Sequence, residues 1–136
     1  MEYRILGKTG LKVSVIGIGT WQLSGPVTIG GKPDGFEDPG RDKAIALIRT
    51  CGDWGINFID SAPIYGDGEG ERLVGQAIQG QRDRWIVSTK FGMYRRNDGG
   101  RIINTQPDNI RRSLEDSLRR LQTDYVDIYL YHSHPD

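Results

Sequence analysis

Two periodicities alternate along this chain. Four short runs have the length and the β-branched or aromatic content of buried strands: Ile16-Gly17-Ile18-Gly19-Thr20-Trp21, Asn57-Phe58-Ile59-Asp60, Trp85-Ile86-Val87-Ser88-Thr89 and Val126-Asp127-Ile128-Tyr129-Leu130-Tyr131. The segments between them carry helical spacing. Ala44, Leu47, Ile48 and Cys51 fall at i, i+3, i+4 and i+7 and predict a helix over residues 41–53, stopped by Gly52 and Gly55. A second helix is predicted over residues 71–78, ended by Gly80. A third has Thr105 as N-cap, Pro107 in its first turn and Ile110, Leu114, Leu118 and Leu121 as its apolar face. Its Glu115–Arg119 and Asp116–Arg120 pairs place the arginines, with Arg111 and Arg112, on a solvated face.

The flanking segments complete the outline. Residues 3–6 and 12–15 read as an N-terminal hairpin around Gly7-Lys8-Thr9-Gly10. Residues 23–40, rich in Gly and Pro, and residues 92–104 read as long loops, and long loops are commonly functional. Strands that alternate with helices predict parallel pairing through right-handed crossovers.

Composition narrows the function classes. Eighteen basic and eighteen acidic residues cancel, which argues against a sequence-independent grip on nucleic acid or an anionic membrane. No apolar stretch approaches the ~18 residues of a membrane span, and the first residues lack the apolar core of a signal peptide. A single cysteine, Cys51, excludes an intrachain disulfide and makes a reducing, cytoplasmic setting the expectation. Cys51 itself is expected to pack as a small apolar residue.

In parallel α/β folds, chemistry collects at the carboxyl ends of the strands. Those ends hold Gly19-Thr20-Trp21, then Asp60 with Tyr65 five residues on, then Lys90, then His132. Singly, each has a structural reading: a turn former, a core plug, a snorkelling charge, a hydrogen-bonding histidine. Jointly they suit carbonyl reduction, which needs a proton donor for the developing alkoxide. A phenol is a weak acid at neutral pH, and a neighbouring ammonium lowers its pKa. A carboxylate keeps that ammonium charged and oriented, and an imidazole can hold the carbonyl oxygen. Competing motifs fail: Gln22 stands where a dinucleotide fingerprint needs its third Gly, and Pro33 follows Gly31-Lys32 where a Walker loop needs Ser or Thr. His132 and His134 lack the partners of a zinc site, so no metal is expected.

Gly17-Ile18-Gly19-Thr20-Trp21, Gly55 through Gly66, Ser88-Thr89-Lys90-Phe91-Gly92 and the run from Leu118 to His132 together resemble the aldo-keto reductase family over nearly the whole chain. The resemblance implies a (β/α)8 barrel closed underneath by an N-terminal hairpin. It also implies NADPH-dependent reduction of aldehydes and ketones, with Tyr65 as acid, Lys90 and Asp60 tuning it, and His132 orienting a small carbonyl substrate. Gly19, Thr20, Trp21 and Asp60 match positions near the nicotinamide of NADP(H), and Trp21 also matches a position facing substrate. Met93 and Tyr94 are further candidate substrate contacts. One departure is visible: the family usually has Ser before the Glu expected to open the second helix, and here Gly70 precedes Glu71, which the reading treats as an N-cap exchange.

Length conflicts with the barrel, which takes about 250 residues. With four strands and three helices, residues 1–136 are expected to be the N-terminal half of a TIM barrel, cut after the fourth strand. Two hypotheses follow: a fragment of an oxidoreductase that on its own binds cofactor weakly, or a catalytically silent half barrel that acts by self-association or with a complementary half.

Overall fold

The structure, a computed structural model, describes residues 1–132. Two short strands, β1 (Tyr3–Ile5) and β2 (Lys12–Ser14), form the antiparallel N-terminal hairpin. The chain then runs through β3 (Ile18–Gly19), the ribbon β4 (Pro26–Ile29) and β5 (Lys32–Gly35), α1 (Arg41–Asp53), β6 (Phe58–Asp60), α2 (Glu69–Ala77) and β7 (Ile86–Phe91). A second ribbon, β8 (Met93–Arg95) with β9 (Arg101–Ile103), precedes α3 (Pro107–Leu121) and β10 (Ile128–Tyr131). Strands β3, β6, β7 and β10 lie side by side in chain order and all parallel, one curved section of an α/β barrel wall.

Register decides which side chains meet. Ile59 pairs with Val87 and Tyr129 with Thr89 on the helix-facing side of the sheet. Successive residues point to opposite faces, so Asp60, Ser88, Lys90 and Leu130 share the other side. Gly19 is paired with Asp60, and Leu130 with Lys90. On the helix side, Ile48, Ile59, Leu73, Val74, Val87 and Leu121 are fully buried and form the centre of the core. Burying a side chain of this size contributes about 1.5–3 kcal/mol.

The helices pack closely because small residues stand at their contacts. A Cβ at Gly75 of α2 would lie 2.6 Å from the Leu121 carbonyl oxygen, and one at Gly52 of α1 2.5 Å from the Trp85 ring. A polar staple crosses the same layer. Glu71 is fully buried, accepting from Thr89 Oγ1 at 2.6 Å and from Arg120 Nε at 2.5 Å. It therefore ties α2 to β7, one residue from Lys90, and to α3.

Several sequence expectations need correction. Both expected long loops contain antiparallel ribbons, β4–β5 and β8–β9, whose Gly30-Gly31 and Asp98-Gly99 tips the strand signals did not reveal. Leu47 is exposed, so the buried stripe of α1 is Ala44, Ile48 and Cys51. The buried line of α3 is Ser113, Ser117 and Leu121, with Ile110, Leu114 and Leu118 only half-buried, because short side chains let the helix lie close to its neighbours. Gln106, not Thr105, is the N-cap of α3 and makes no side-chain cap. Asp116 pairs with Arg119, while Arg120 turns inward to Glu71 and leaves the solvated face. Helix α2 begins at Glu69 with Gly68 as N-cap, in a left-handed conformation that suits Gly. Gly70 is thus inside the helix, where a Cβ would meet Ser24 Oγ at 2.7 Å and Thr20 Oγ1 at 3.0 Å. Crowding by those hydroxyls, not capping, accounts for glycine there.

The buried staple sets a stability test. Removing one partner of a buried charge pair leaves the other uncompensated and costs about 3–5 kcal/mol. Glu71→Ala is expected to lose that amount in urea unfolding, and Glu71→Gln, which keeps acceptor and shape, clearly less. Equal small losses in both variants would show that the staple does not hold the layer.

Candidate active site

The site gathers at the carboxyl ends of the parallel strands, on the face opposite the helices. Lys90 lies inside β7 rather than just after it, because the strand runs on to Phe91. Its residue is 8% exposed, so its charge needs partners close by. Lys90 Nζ donates to Asp60 Oδ2 at 2.7 Å and Oδ1 at 2.8 Å, to the Ser61 carbonyl at 2.8 Å, and to Tyr65 Oη at 3.3 Å. An ammonium has three N–H donors; here they serve one carboxylate, one carbonyl and one phenol.

Tyr65 opens a short 3-10 turn, Tyr65–Gly68, directly before α2. The turn passes through positive φ at Gly66 and Asp67. Gly66 also abuts the Ser24 carbonyl too closely for any Cβ, so this residue fixes how the phenol is aimed. The Tyr65 ring stacks on Trp21 with centroids 6.2 Å apart, and His132 meets its edge at 5.6 Å. Trp21 is braced from behind by Phe36, edge-on at 5.2 Å.

His132 follows β10 and is anchored by its backbone N–H to the Phe91 carbonyl at 2.7 Å. Burial pushes its imidazole pKa below the usual value, and the positive charges of Lys90 and Arg101 add to this against the opposing Asp60 carboxylate. The ring is therefore held neutral at neutral pH, able to donate one N–H. Its Nδ1 has no hydrogen-bond partner among the described residues.

Of the residues singled out from the sequence, Asp60, Tyr65, Lys90, His132, Trp21 and Met93 converge here. Trp21, Ile64, Tyr65, Met93 and His132, with Asp34 and Arg101, line a cavity of about 230 Å3. Tyr94 does not join them: its hydroxyl accepts from the Gly92 N–H, and its ring lines a separate cavity of about 170 Å3 beside α3. Gly19 and Trp21 are open to solvent, and Asp60 is partly so. The Thr20 side chain is fully buried, its hydroxyl 2.9 Å from Ser61 Oγ, so it braces the strand end from within. Sequence reasoning missed Ser61, whose carbonyl is a third grip on Lys90, and Phe36, Asp34 and Arg101. Asp34 and Arg101 sit on ribbons read as loops, where no periodicity marks a facing residue.

Among the described residues no group of three or more His, Cys, Asp or Glu could hold a metal ion, and no helix is long and apolar enough to cross a membrane. His134 lies outside the described residues. Cys51 is buried among core residues, and burial pushes its thiol pKa up.

The sequence profile of the Aldo/keto reductase family matches residues 15–136. Aldo-keto reductase YhdN of Bacillus subtilis is 41% identical over 135 residues, covering 97% of this chain and 38% of that protein. Among solved structures, the holo form of aldo-keto reductase AKR11C1 from Bacillus halodurans superposes with TM-score 0.83 at 34% identity, covering 99% of this chain and 41% of that one. An aldo-keto reductase from Klebsiella pneumoniae in complex with NADPH gives TM-score 0.70 at 34% identity, covering 93% of this chain and 38% of that one. The chain thus spans about two fifths of the length of these relatives. On the match over residues 15–136 and these likenesses, the chain belongs to the aldo-keto reductase family.

Proposed function

We propose that this protein reduces small aldehydes or ketones to alcohols with NADP(H), using Tyr65 as the acid. The observation that carries the reading is the 3.3 Å approach of Lys90 Nζ to Tyr65 Oη while Asp60 and Ser61 grip the same ammonium. A cation so placed stabilises negative charge as the phenol gives up its proton. The neutral His132 imidazole donates a hydrogen bond to the carbonyl oxygen and orients it. Trp21 forms the adjoining aromatic wall, and together with Tyr65 and His132 makes the substrate-contacting set.

The residues present fit one end of the cofactor. Gly19 leaves open space at the end of β3, where a Cβ would meet only Gln22 Oε1, at 3.7 Å. Gly19, the Thr20 backbone, Trp21 and Asp60 would border the nicotinamide, which when bound supplies the hydride. The likeness to an enzyme solved with NADPH supports NADP(H).

A second reading, a silent half barrel that associates with itself or a partner, draws on the open edges of the four-stranded sheet. Among the described residues, β3 and β10 each pair with a strand on one side only, and unpaired edges invite association.

Two measurements test the catalytic reading. Tyr65→Phe keeps the ring and its stacking but removes the acidic proton, so kcat for NADPH-dependent reduction of a simple aldehyde is expected to fall about 10²–10⁴-fold. Turnover within threefold of wild type excludes Tyr65 as the acid. His132 supplies a pH test. Its folded pKa lies below the ordinary 6.5, so between those values the unfolded chain binds the extra proton and the folded chain does not. The stability tied to neutral His132 is therefore present above pH 6.5 and is lost as pH falls toward the folded pKa. An NMR titration of the imidazole is expected to give a midpoint below 6.5; a midpoint above it contradicts the buried, neutral ring.

A further inference from the structure

Arg101 faces the same cavity as Tyr65 and His132, yet the proton-transfer set does not use it. It stands at the start of β9 and pairs with Asp34 of β5, Nη2 to Oδ2 at 2.8 Å. The two ribbons are fastened a second time where the Gly30 N–H donates to the Gly99 carbonyl at 2.7 Å. Arg101 is thus carried by paired backbone and held in place over the site.

The pairing is incomplete in a telling way. A guanidinium has five N–H donors in a planar fork. Arg101 engages Asp34 through one nitrogen, and no other hydrogen bond of its side chain occurs among the described residues. Its side chain is 47% exposed, against 25% for Asp34, so Arg101 is the more accessible member of the pair. The cavity wall around them is otherwise apolar at Ile64 and Met93 and aromatic at Trp21. The positive charge of Arg101 is also felt at His132, the group that would hold the carbonyl. A carboxylate accepts two parallel N–H bonds from such a fork, which a neutral ester or amide cannot match.

We propose that Arg101 is a specificity determinant that selects carbonyl compounds carrying a carboxylate, with Asp34 orienting the guanidinium and yielding to the incoming carboxylate. The proposal rests on reading the cavity as a carbonyl-reducing site, and it deepens that reading by naming the substrate class. The chemistry is one of recognition: the carboxylate is bound and left unchanged, while the aldehyde or ketone at its other end reaches Tyr65 and His132.

The test is a binding measurement that needs no turnover. Purified protein is titrated with 4-oxobutanoate and with its methyl ester, following the indole N–H resonance of Trp21, assigned by its disappearance in Trp21→Phe. Wild type is expected to bind the carboxylate at least about tenfold more tightly than the ester. In Arg101→Gln the preference is expected to shrink to about threefold or less. Asp34→Asn, which removes the competing carboxylate, is expected to tighten 4-oxobutanoate binding about threefold or more. Equal affinities for the two ligands in wild type, failure of 4-oxobutanoate to bind, or a preference that survives Arg101→Gln overturns the proposal. Weaker binding in Asp34→Asn also overturns it, since that is the sign of a mere fastener between ribbons. Turnover of a neutral aldehyde without carboxylate preference sinks this inference alone; preference without any NADPH-dependent turnover sinks the proposed function and leaves the carboxylate site standing.

Discussion

One buried cation organises this end of the molecule. The Lys90 ammonium sits on the concave side of the sheet with little solvent, and a charge there is costly unless it is paired and hydrogen-bonded. Its needs are met by the last residue of β6, the carbonyl that follows it, and the phenol of the turn before α2. Each partner is at the right height because Asp60 is in register with Ser88, one pleat below Lys90. A slip of one residue between β6 and β7 would turn Asp60 to the helix side and strand the charge.

The rest of the fold keeps that arrangement from relaxing. Thr89 points the other way from Lys90 and is bound to the buried Glu71, which Arg120 neutralises. The strand that presents the ammonium is thereby fixed to two helices. Beneath the first turn of α2, Thr20, Ser24 and Ser61 fill the space with hydroxyls that bond to one another and to backbone, and Gly70 has no side chain because they occupy its place. The two ribbons complete the enclosure: one carries Asp34, the other Met93 and Arg101, and Phe36, just past β5, braces Trp21.

Much of this could be read from the residues. The parallel order, the helix over Arg41–Asp53 and the convergence of Asp60, Tyr65, Lys90 and His132 follow from strand-end position and alternation. Part of what escapes depends on contacts between segments far apart in sequence. The spacing of Asp116 four positions earlier reads Arg120 as a surface residue, and only the approach of α2 gives it the stronger partner in Glu71. Ser113 and Ser117 look polar by pattern but are buried because close helix packing rewards small size over hydrophobicity. The β4–β5 ribbon is masked in the sequence by Pro26 and Pro33, which depress any strand signal, although both fit an isolated two-stranded ribbon; the β8–β9 ribbon is masked by the charged and Gly-rich run from Arg95 to Arg101.

The central claim is that a Lys90-gripped phenol supplies the proton in carbonyl reduction. The most direct test replaces the cation with an apolar chain of similar length. With Lys90→Met and unchanged far-UV circular dichroism, the kcat of NADPH-dependent aldehyde reduction is predicted to fall by about 10²-fold or more across the pH range. A folded Lys90→Met protein that reduces the aldehyde within a few-fold of the wild-type rate would contradict the account.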